Sequence, residues 1–242
     1  MKGTNYQSQL GLSDSIFVST TKLDFPQPII SVCVGSYKSL FLGENGDVWT
    51  CGKSMQGVDK VPRLIAKLPP IQAISCSSKL MAEESWRYLL LDFRGNVWKC
   101  FSTRVKYQNR PRKIGKGRLP PIKSLCAATR FSLFLDHEGN VWSQGHSTKG
   151  CLGFNNTQFQ RYPTKIPNLC RIVEISCSDK SSLFLDENGV VWACEQTSTS
   201  VHQTCSRKYH VSWKIFLQSR RFQQVNVTGC SWTLNTECGV VD

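Results

Sequence analysis

Apolar residues run through this chain in short groups, and group after group leads into a polar turn and then a strand ending in Trp. The clearest instance is Ser181 to Trp192, SSLFLDENGVVW, where Leu183, Phe184 and Leu185 precede the turn Asp186 to Gly189 and Val190, Val191 and Trp192 leave it. Two short apolar runs around a DENG turn predict a β-hairpin. Gly189 supplies the positive φ needed near the end of a four-residue loop, and Asp, Glu and Asn suit the other positions.

The same pattern returns as SLFLGENGDVW (Ser39 to Trp49), LLLDFRGNVW (Leu89 to Trp98) and SLFLDHEGNVW (Ser132 to Trp142), with a weaker copy, TLNTECGVV, at Thr233 to Val241. The turn glycines are Gly46, Gly95, Gly139, Gly189 and Gly239, so the steps are 49, 44, 50 and 50 residues. An all-β repeat at that pitch indicates a propeller or a β-solenoid, and no linker interrupts it, so residues 1–242 are expected to form a single domain. Trp49, Trp98, Trp142 and Trp192 are expected at equivalent buried sites.

Each unit is entered through a stretch bearing proline: FPQPIISVCVGS, KLPPIQAISCS, RLPPIKSLCAA and KIPNLCRIVEISCS. Proline is tolerated just before a strand because the ladder does not need its missing N–H there, so these segments read as connectors between blades. The front of the chain, Gly3 to Leu12, is related to Gly145 to Phe154, which follows Trp142, and so reads as the second half of a repeat. Phe222 to Val241 supplies a first half. The fold expected is an all-β propeller of four-stranded blades, about five blades if closed, with one blade built from both chain ends, which would remove the unpaired sheet edges.

Composition changes this picture in two ways. Twelve cysteines would suggest disulfides in a secreted chain, but Cys51, Cys100 and Cys194 each follow a hairpin Trp by two residues, and Cys33, Cys76, Cys126, Cys177 and Cys230 each sit in an opening strand. Side chains two apart in a strand share a face, so these are expected to be small buried core thiols. No C-x-x-C pair is present, and the grouping of His202, Cys205 and His210 matches no standard ligand spacing, so no metal or other cofactor is expected.

Charge is the second. The chain carries 30 Lys and Arg against 17 Asp and Glu, a formal net charge of +13. The excess is concentrated in two stretches without acids, Arg104 to Lys123 and Arg207 to Arg221. The first supplies the candidate site: Arg104, Lys106, Arg110, Arg112, Lys113, Lys116 and Arg118, with Tyr107 as a stacking surface among them. Such a surface suits RNA, DNA phosphate or an acidic protein. RPRK at Arg110 to Lys113 also matches a nuclear-import signal, a short pattern common by chance. No run has the apolar length of a secretory signal or of a membrane span, so a soluble intracellular protein is expected, cytoplasmic with a nuclear alternative. The stretch Ser77 to Tyr88 in the second repeat is longer than its siblings by roughly a half-dozen residues; insertions in repeat proteins often lie on the binding face, and a plain exposed loop with Trp86 packed on its own blade is the alternative.

Enzyme constellations are absent from the sequence. There is no G-x-S-x-G elbow, H-E-x-x-H, phosphate-binding G-x-x-x-x-G-K-[ST] loop or Gly-rich dinucleotide turn, and His137, His146, His202 and His210 are scattered. Repeated Asp-Glu pairs such as Asp186 and Glu187 are turn residues. No catalytic residue is assigned.

The repeat S-L-F-L-x-x-x-G-x-V-W followed by G-x-x-x-x-G-x-L-G resembles the regulator of chromosome condensation repeat. Gly145, Gly150, Leu152 and Gly153 carry the loop signature, and Gly3, Gln9, Leu10 and Gly11 repeat it. The resemblance implies a β-propeller, in that family most often with seven blades, acting as a non-enzymatic scaffold that binds a protein partner through its loop face. The founding member is a guanine nucleotide exchange factor for a small GTPase and also binds chromatin, so the resemblance carries two alternatives: exchange activity, and nucleic-acid or chromatin binding through the basic loops. Lys38, Phe131 and Ser181 stand where the family's repeat usually places a histidine. No segment here matches the loop that the exchange factor inserts against its GTPase.

Overall fold

Four hairpin glycines take the left-handed backbone that the turn sequence demands: Gly46, Gly95, Gly139 and Gly189 have φ of +83°, +75°, +87° and +77°. At Gly95 the requirement is double, because a Cβ there would lie 2.8 Å from both Ile122 N and Pro121 Cα. The contact exists because Ile122 N donates to Gly95 O at 2.9 Å, and the same bond runs from Ile71 to Gly46 and from Ile172 to Gly139. The proline-bearing connectors therefore dock the start of each repeat onto the hairpin turn of the one before.

The computed structural model describes residues 3–4, 8–11, 17–18, 21–35, 38–54, 57–77, 88–100, 111–115, 117–147, 150–154, 159–178, 181–195, 207–210, 227–228 and 231–232. Its strands begin with β1 (Gly3–Thr4) and β2 (Phe17–Val18). The first blade is β3 (Ile29–Val34), β4 (Lys38–Gly43), β5 (Val48–Ser54) and β6 (Gly57–Leu64). The second is β7 (Ile71–Cys76), β8 (Tyr88–Asp92), β9 (Val97–Cys100) and β10 (Arg112–Lys113). The third is β11 (Ile122–Ala127), β12 (Phe131–Asp136), β13 (Val141–His146) and β14 (Phe159–Lys165). The fourth is β15 (Ile172–Cys177), β16 (Ser181–Asp186), β17 (Val190–Glu195) and β18 (Arg207–His210). β19 (Val227–Thr228) and β20 (Ser231–Trp232) follow.

Each of the four blades is an antiparallel meander of four strands in sequence order. The end hairpins pair internally, β1 with β2 and β19 with β20, so among the described residues no sheet is assembled from both chain ends. The weaker repeat turn at Gly239 lies outside the described residues, as do Cys230 and most of the long loop Ser77 to Tyr88. No helix is present among the described residues, and none is long and apolar enough to cross a membrane.

The core lies between blades. One face of a blade presents the outer leucines of its apolar run, and the next blade answers with its central Phe or Leu and its Trp, joined in the second and fourth blades by the Cys after it. Leu40, Leu42 and Val48 thus meet Leu90, Trp98 and Cys100. Leu89, Leu91 and Val97 meet Phe134 and Trp142, and Leu133, Leu135 and Val141 meet Phe184, Trp192 and Cys194. In the first blade the equivalent face, Phe41, Trp49 and Cys51, is covered by Leu23, Phe25 and Ile29. Strand alternation places these two sets on opposite faces, as the periodicity predicts. Trp49 is buried, while Trp98, Trp142 and Trp192 are half-buried against the same interfaces.

Each half-buried indole N–H finds a partner within its own hairpin. Trp98, Trp142 and Trp192 donate Nε1–H to Oδ2 of Asp92, Asp136 and Asp186 at 2.9, 3.0 and 2.9 Å. The other oxygen, Oδ1, accepts turn N–H groups, as from Arg94 and Asn96 to Asp92 at 2.9 and 2.8 Å. These aspartates are buried, and both oxygens of each accept hydrogen bonds within its own hairpin. In the first blade Gly43 replaces the aspartate, and Gln27 from the connector substitutes for it: Asn45 N donates to Gln27 Oε1, and Gln27 Nε2 donates to Asp47 Oδ2, each at 2.8 Å.

The relation between the front of the chain and Gly145 to Phe154 is visible in contacts. Ser182 Oγ donates to Cys151 O at 2.6 Å, and Ser39 Oγ donates to Gln9 O at the same distance. Gly153 and Gly11 close the same turn, with φ of +77° and +72°. Gln9 to Gly11 thus docks on the first blade as Cys151 to Gly153 docks on the fourth.

The cysteines depart from expectation in part. Cys51 and Cys100 are buried thiols, each pushed by that burial up to about 12. Cys33 and Cys76 are instead joined by a disulfide between the first and second blades, and Cys194 is also disulfide-bonded. Opening strands of successive blades lie side by side. Cysteines one repeat apart are therefore brought within bonding reach, a proximity that strand periodicity within one blade does not reveal. Lys38 has its ammonium pKa lowered by burial, with Asp59 opposing that shift, and its Nζ stands 5.7 Å over the Tyr88 ring.

Candidate functional site

The candidate site is built where the second blade's last strand meets the third blade's last strand. β10 pairs with β9 so that Arg112 faces Lys99 and Lys113 faces Trp98 across the ladder. Ile114 N donates to Val97 O at 2.7 Å, and its buried side chain anchors this edge between the blades. The chain then turns at Gly115, φ +69°, where a Cβ would stand 2.8 Å from Leu119, and the turn carries Arg118 back toward the third blade.

From the third blade, β14 contributes Arg161, Tyr162 and Pro163. Gln144 of β13 holds the Arg161 carbonyl through Nε2 at 2.8 Å. The Arg118 guanidinium stands 4.1 Å from the Tyr162 ring centroid, and that of Arg161 stands 5.7 Å from the same ring. One exposed aromatic ring thus gathers two guanidinium groups, one from the connector after β10 and one from β14. Stacking on the ring leaves the N–H edge of a guanidinium available to an anion.

The resulting cleft has a volume of about 840 Å³ and is lined by Lys99, Arg112, Lys113, Arg118 and Arg161, with Tyr162, Gln144, Pro163, Ile114 and Gly115. None of these lining residues is acidic, so among the described residues five cations share one concavity without an opposing carboxylate. Like charges so placed raise the local potential, and guanidinium groups offer the paired donors that carboxylate or phosphate accepts in bidentate fashion. Among the described lining residues there is no carboxylate, histidine or cysteine. The arrangement suits binding.

Of the basic residues expected to act together, Arg112, Lys113 and Arg118 are brought to this cleft. Arg104, Lys106, Tyr107, Arg110 and Lys116 lie outside the described residues, as does the His202 and Cys205 grouping. Lys99, Arg161 and Tyr162 are the members that the linear reading missed. Lys99 follows the hairpin Trp98, and Arg161 and Tyr162 lie within FQRYPTK ahead of the next connector. Aligning outer-strand positions of successive repeats would have placed these cations beside the basic stretch.

Comparison with known proteins agrees with the repeat geometry. Residues 138–185 match the model of the Regulator of chromosome condensation (RCC1) repeat. Guanine nucleotide exchange factor SRM1 of Saccharomyces cerevisiae is 28% identical over 179 residues, which cover 68% of this chain and 33% of that protein. The chain therefore spans about a third of the length of this curated relative. Among solved structures, human WBSCR16 is similar with a TM-score of 0.70 at 16% identity, covering 87% of this chain and 63% of that one. Yeast RCC1 (Prp20), in its complex with Kap60, is similar with a TM-score of 0.61 at 17% identity, covering 76% and 48%. At these identities the structural likeness establishes the fold, a propeller of four-stranded blades.

Proposed function

The chain carries the regulator of chromosome condensation repeat, and from that premise we propose that it is a non-enzymatic propeller scaffold that holds an acidic segment of a protein partner in the cleft between its second and third blades. The observation that carries this reading is the set of five cations, with no acid among the described lining residues, organised around Tyr162. A protein segment rich in Glu or Asp would place carboxylates against the guanidinium edges while its backbone lies over the ring. The test is titration of a Glu-rich peptide into the protein and into a variant with Arg112, Lys113 and Arg118 replaced by Ala. Binding by the first and loss in the second support the reading. Equal binding by both removes the cleft from it, and preference for an oligonucleotide over the peptide reassigns the cleft to nucleic acid.

A second reading is favoured by the sequence likeness to an exchange factor: that the chain promotes nucleotide release from a small GTPase, or regulates a protein that does. Such an activity works by binding the nucleotide-free GTPase and needs no covalent chemistry. Release of labelled nucleotide from a panel of small GTPases tests it, and rates unchanged at micromolar protein dispose of it.

A further inference from the structure

The contact that places Cys33 beside Cys76 recurs down the stack of blades. Cys33 pairs with Leu40 and Cys126 with Leu133, and these leucines hold the same place in the SLFL run. Cys76 pairs with Tyr88 and Cys177 with Ser182, again equivalent places one residue before the first leucine. Cys126 and Cys177 are thus to the third and fourth blades what Cys33 and Cys76 are to the first and second. The intervening junction holds the same juxtaposition in other chemistry, with Ala127 N donating to Ser75 Oγ at 3.0 Å. At the last junction the Cys126 Sγ lies 3.9 Å from Cys177 O, and both residues are half-buried thiols.

We infer that Cys126 and Cys177 are a second inter-blade dithiol, converted to a disulfide by a peroxide-class oxidant. One thiolate attacks a peroxide oxygen, the O–O bond breaks and a sulfenic acid forms with release of water. The second thiolate displaces hydroxide from that sulfur, which leaves as water on taking up a proton. Two thiols and one hydrogen peroxide thus give one disulfide and two waters, the two sulfurs supplying the two electrons. Cys51 and Cys100 do not compete, because both are buried, Cys100 in a blade interface and Cys51 beside Phe41 and Trp49 under the entry segment, and burial holds them as thiols.

The test uses the full chain treated with hydrogen peroxide, alkylated, digested and mapped by mass. The expected product is a peptide pair linking Cys126 to Cys177, two hydrogens lighter than its reduced parts and separated again by dithiothreitol. Cys126→Ser and Cys177→Ser should each abolish it and leave the remaining thiol alkylated. Oxidation should also raise the Tm by several degrees in the parent protein and in neither variant. Recovery of both cysteines fully alkylated after peroxide overturns the inference, and so does a link from either one to a different cysteine in the folded chain.

Discussion

Trp142 donates its indole N–H to Asp136 across the hairpin at 3.0 Å, and Asp136 returns its second oxygen to the turn, accepting from Glu138 N and Asn140 N. One carboxylate therefore fixes both the loop and the large side chain that fills the blade interface. The same bond joins Trp98 to Asp92 and Trp192 to Asp186.

This arrangement sets an acid limit on stability. Burial pushes Asp92 and Asp136 up, but hydrogen bonds from the Trp and Asn side chains and from turn N–H groups outweigh it, so both titrate below the ordinary 3.8. A depressed folded-state pKa means that the stabilisation is present above about pH 4 and is lost as pH falls through the folded value. Thermal melts from pH 6 to pH 2 should show the Tm dropping below pH 4. Asp136→Asn should cost about 1.5–3 kcal/mol at pH 7 and flatten that drop, because hydrogen bonds to a charged acceptor are of this size.

Restoring the repeat's aspartate in the first blade should destabilise the protein. At Gly43 a Cβ would fall 2.6 Å from Gln27 Cδ and 2.8 Å from Trp49, so Gly43→Asp meets an occupied site. Combining it with Gln27→Ala should recover part of the loss. Denaturant melts of the single and double variants measure this coupling, and independent, additive effects would show that Gln27 does not stand in for the aspartate.

Gly95→Ala combines an unfavourable φ with contact against the next blade's backbone. The left-handed conformation alone costs about 1–2 kcal/mol, and the 2.8 Å approach to Ile122 N adds to it. Gly117 has a similar φ with nothing within 4 Å of its Cβ position, so Gly117→Ala should pay only the conformational part. The difference between the two Tm shifts isolates the docking contact.

The cleft predicts a hierarchy among its cations. Arg118→Lys keeps the charge but gives up the planar stack on Tyr162 and the guanidinium fork. It should weaken a Glu-rich peptide measurably, and removing Arg112, Lys113 and Arg118 together should weaken it tenfold or more, about 1.4 kcal/mol. Calorimetric titration at two salt concentrations checks this. The parent's affinity should fall more steeply with salt than the triple variant's.

How much of this could be read in the chain beforehand follows from what is local. The hairpins and their glycines depend on residues a few places apart, and all four described repeats carry them, whereas of the four Trp expected at equivalent buried sites only Trp49 is buried. The likeness of Gln9 to Gly11 and Cys151 to Gly153 was legible for the same reason. The Cys33 to Cys76 bridge and the addition of Lys99 and Arg161 to the basic stretch were not, since they depend on how neighbouring blades are aligned. Gln27 standing in for an aspartate was equally hidden, because the substituting group comes from the connector, sixteen residues ahead of the vacant position at Gly43.

Because the second and third blades each hide one face against the blade before and the other against the blade after, the persistence of these inner layers depends on the layers beside them. The second and third blades are clasped from both sides, whereas Ile30, Val32 and Val34 of β3 remain exposed. Amide exchange should therefore be slowest at β8 and β12 and quicken toward β3, so that the molecule melts from its margins inward, as a zipper does.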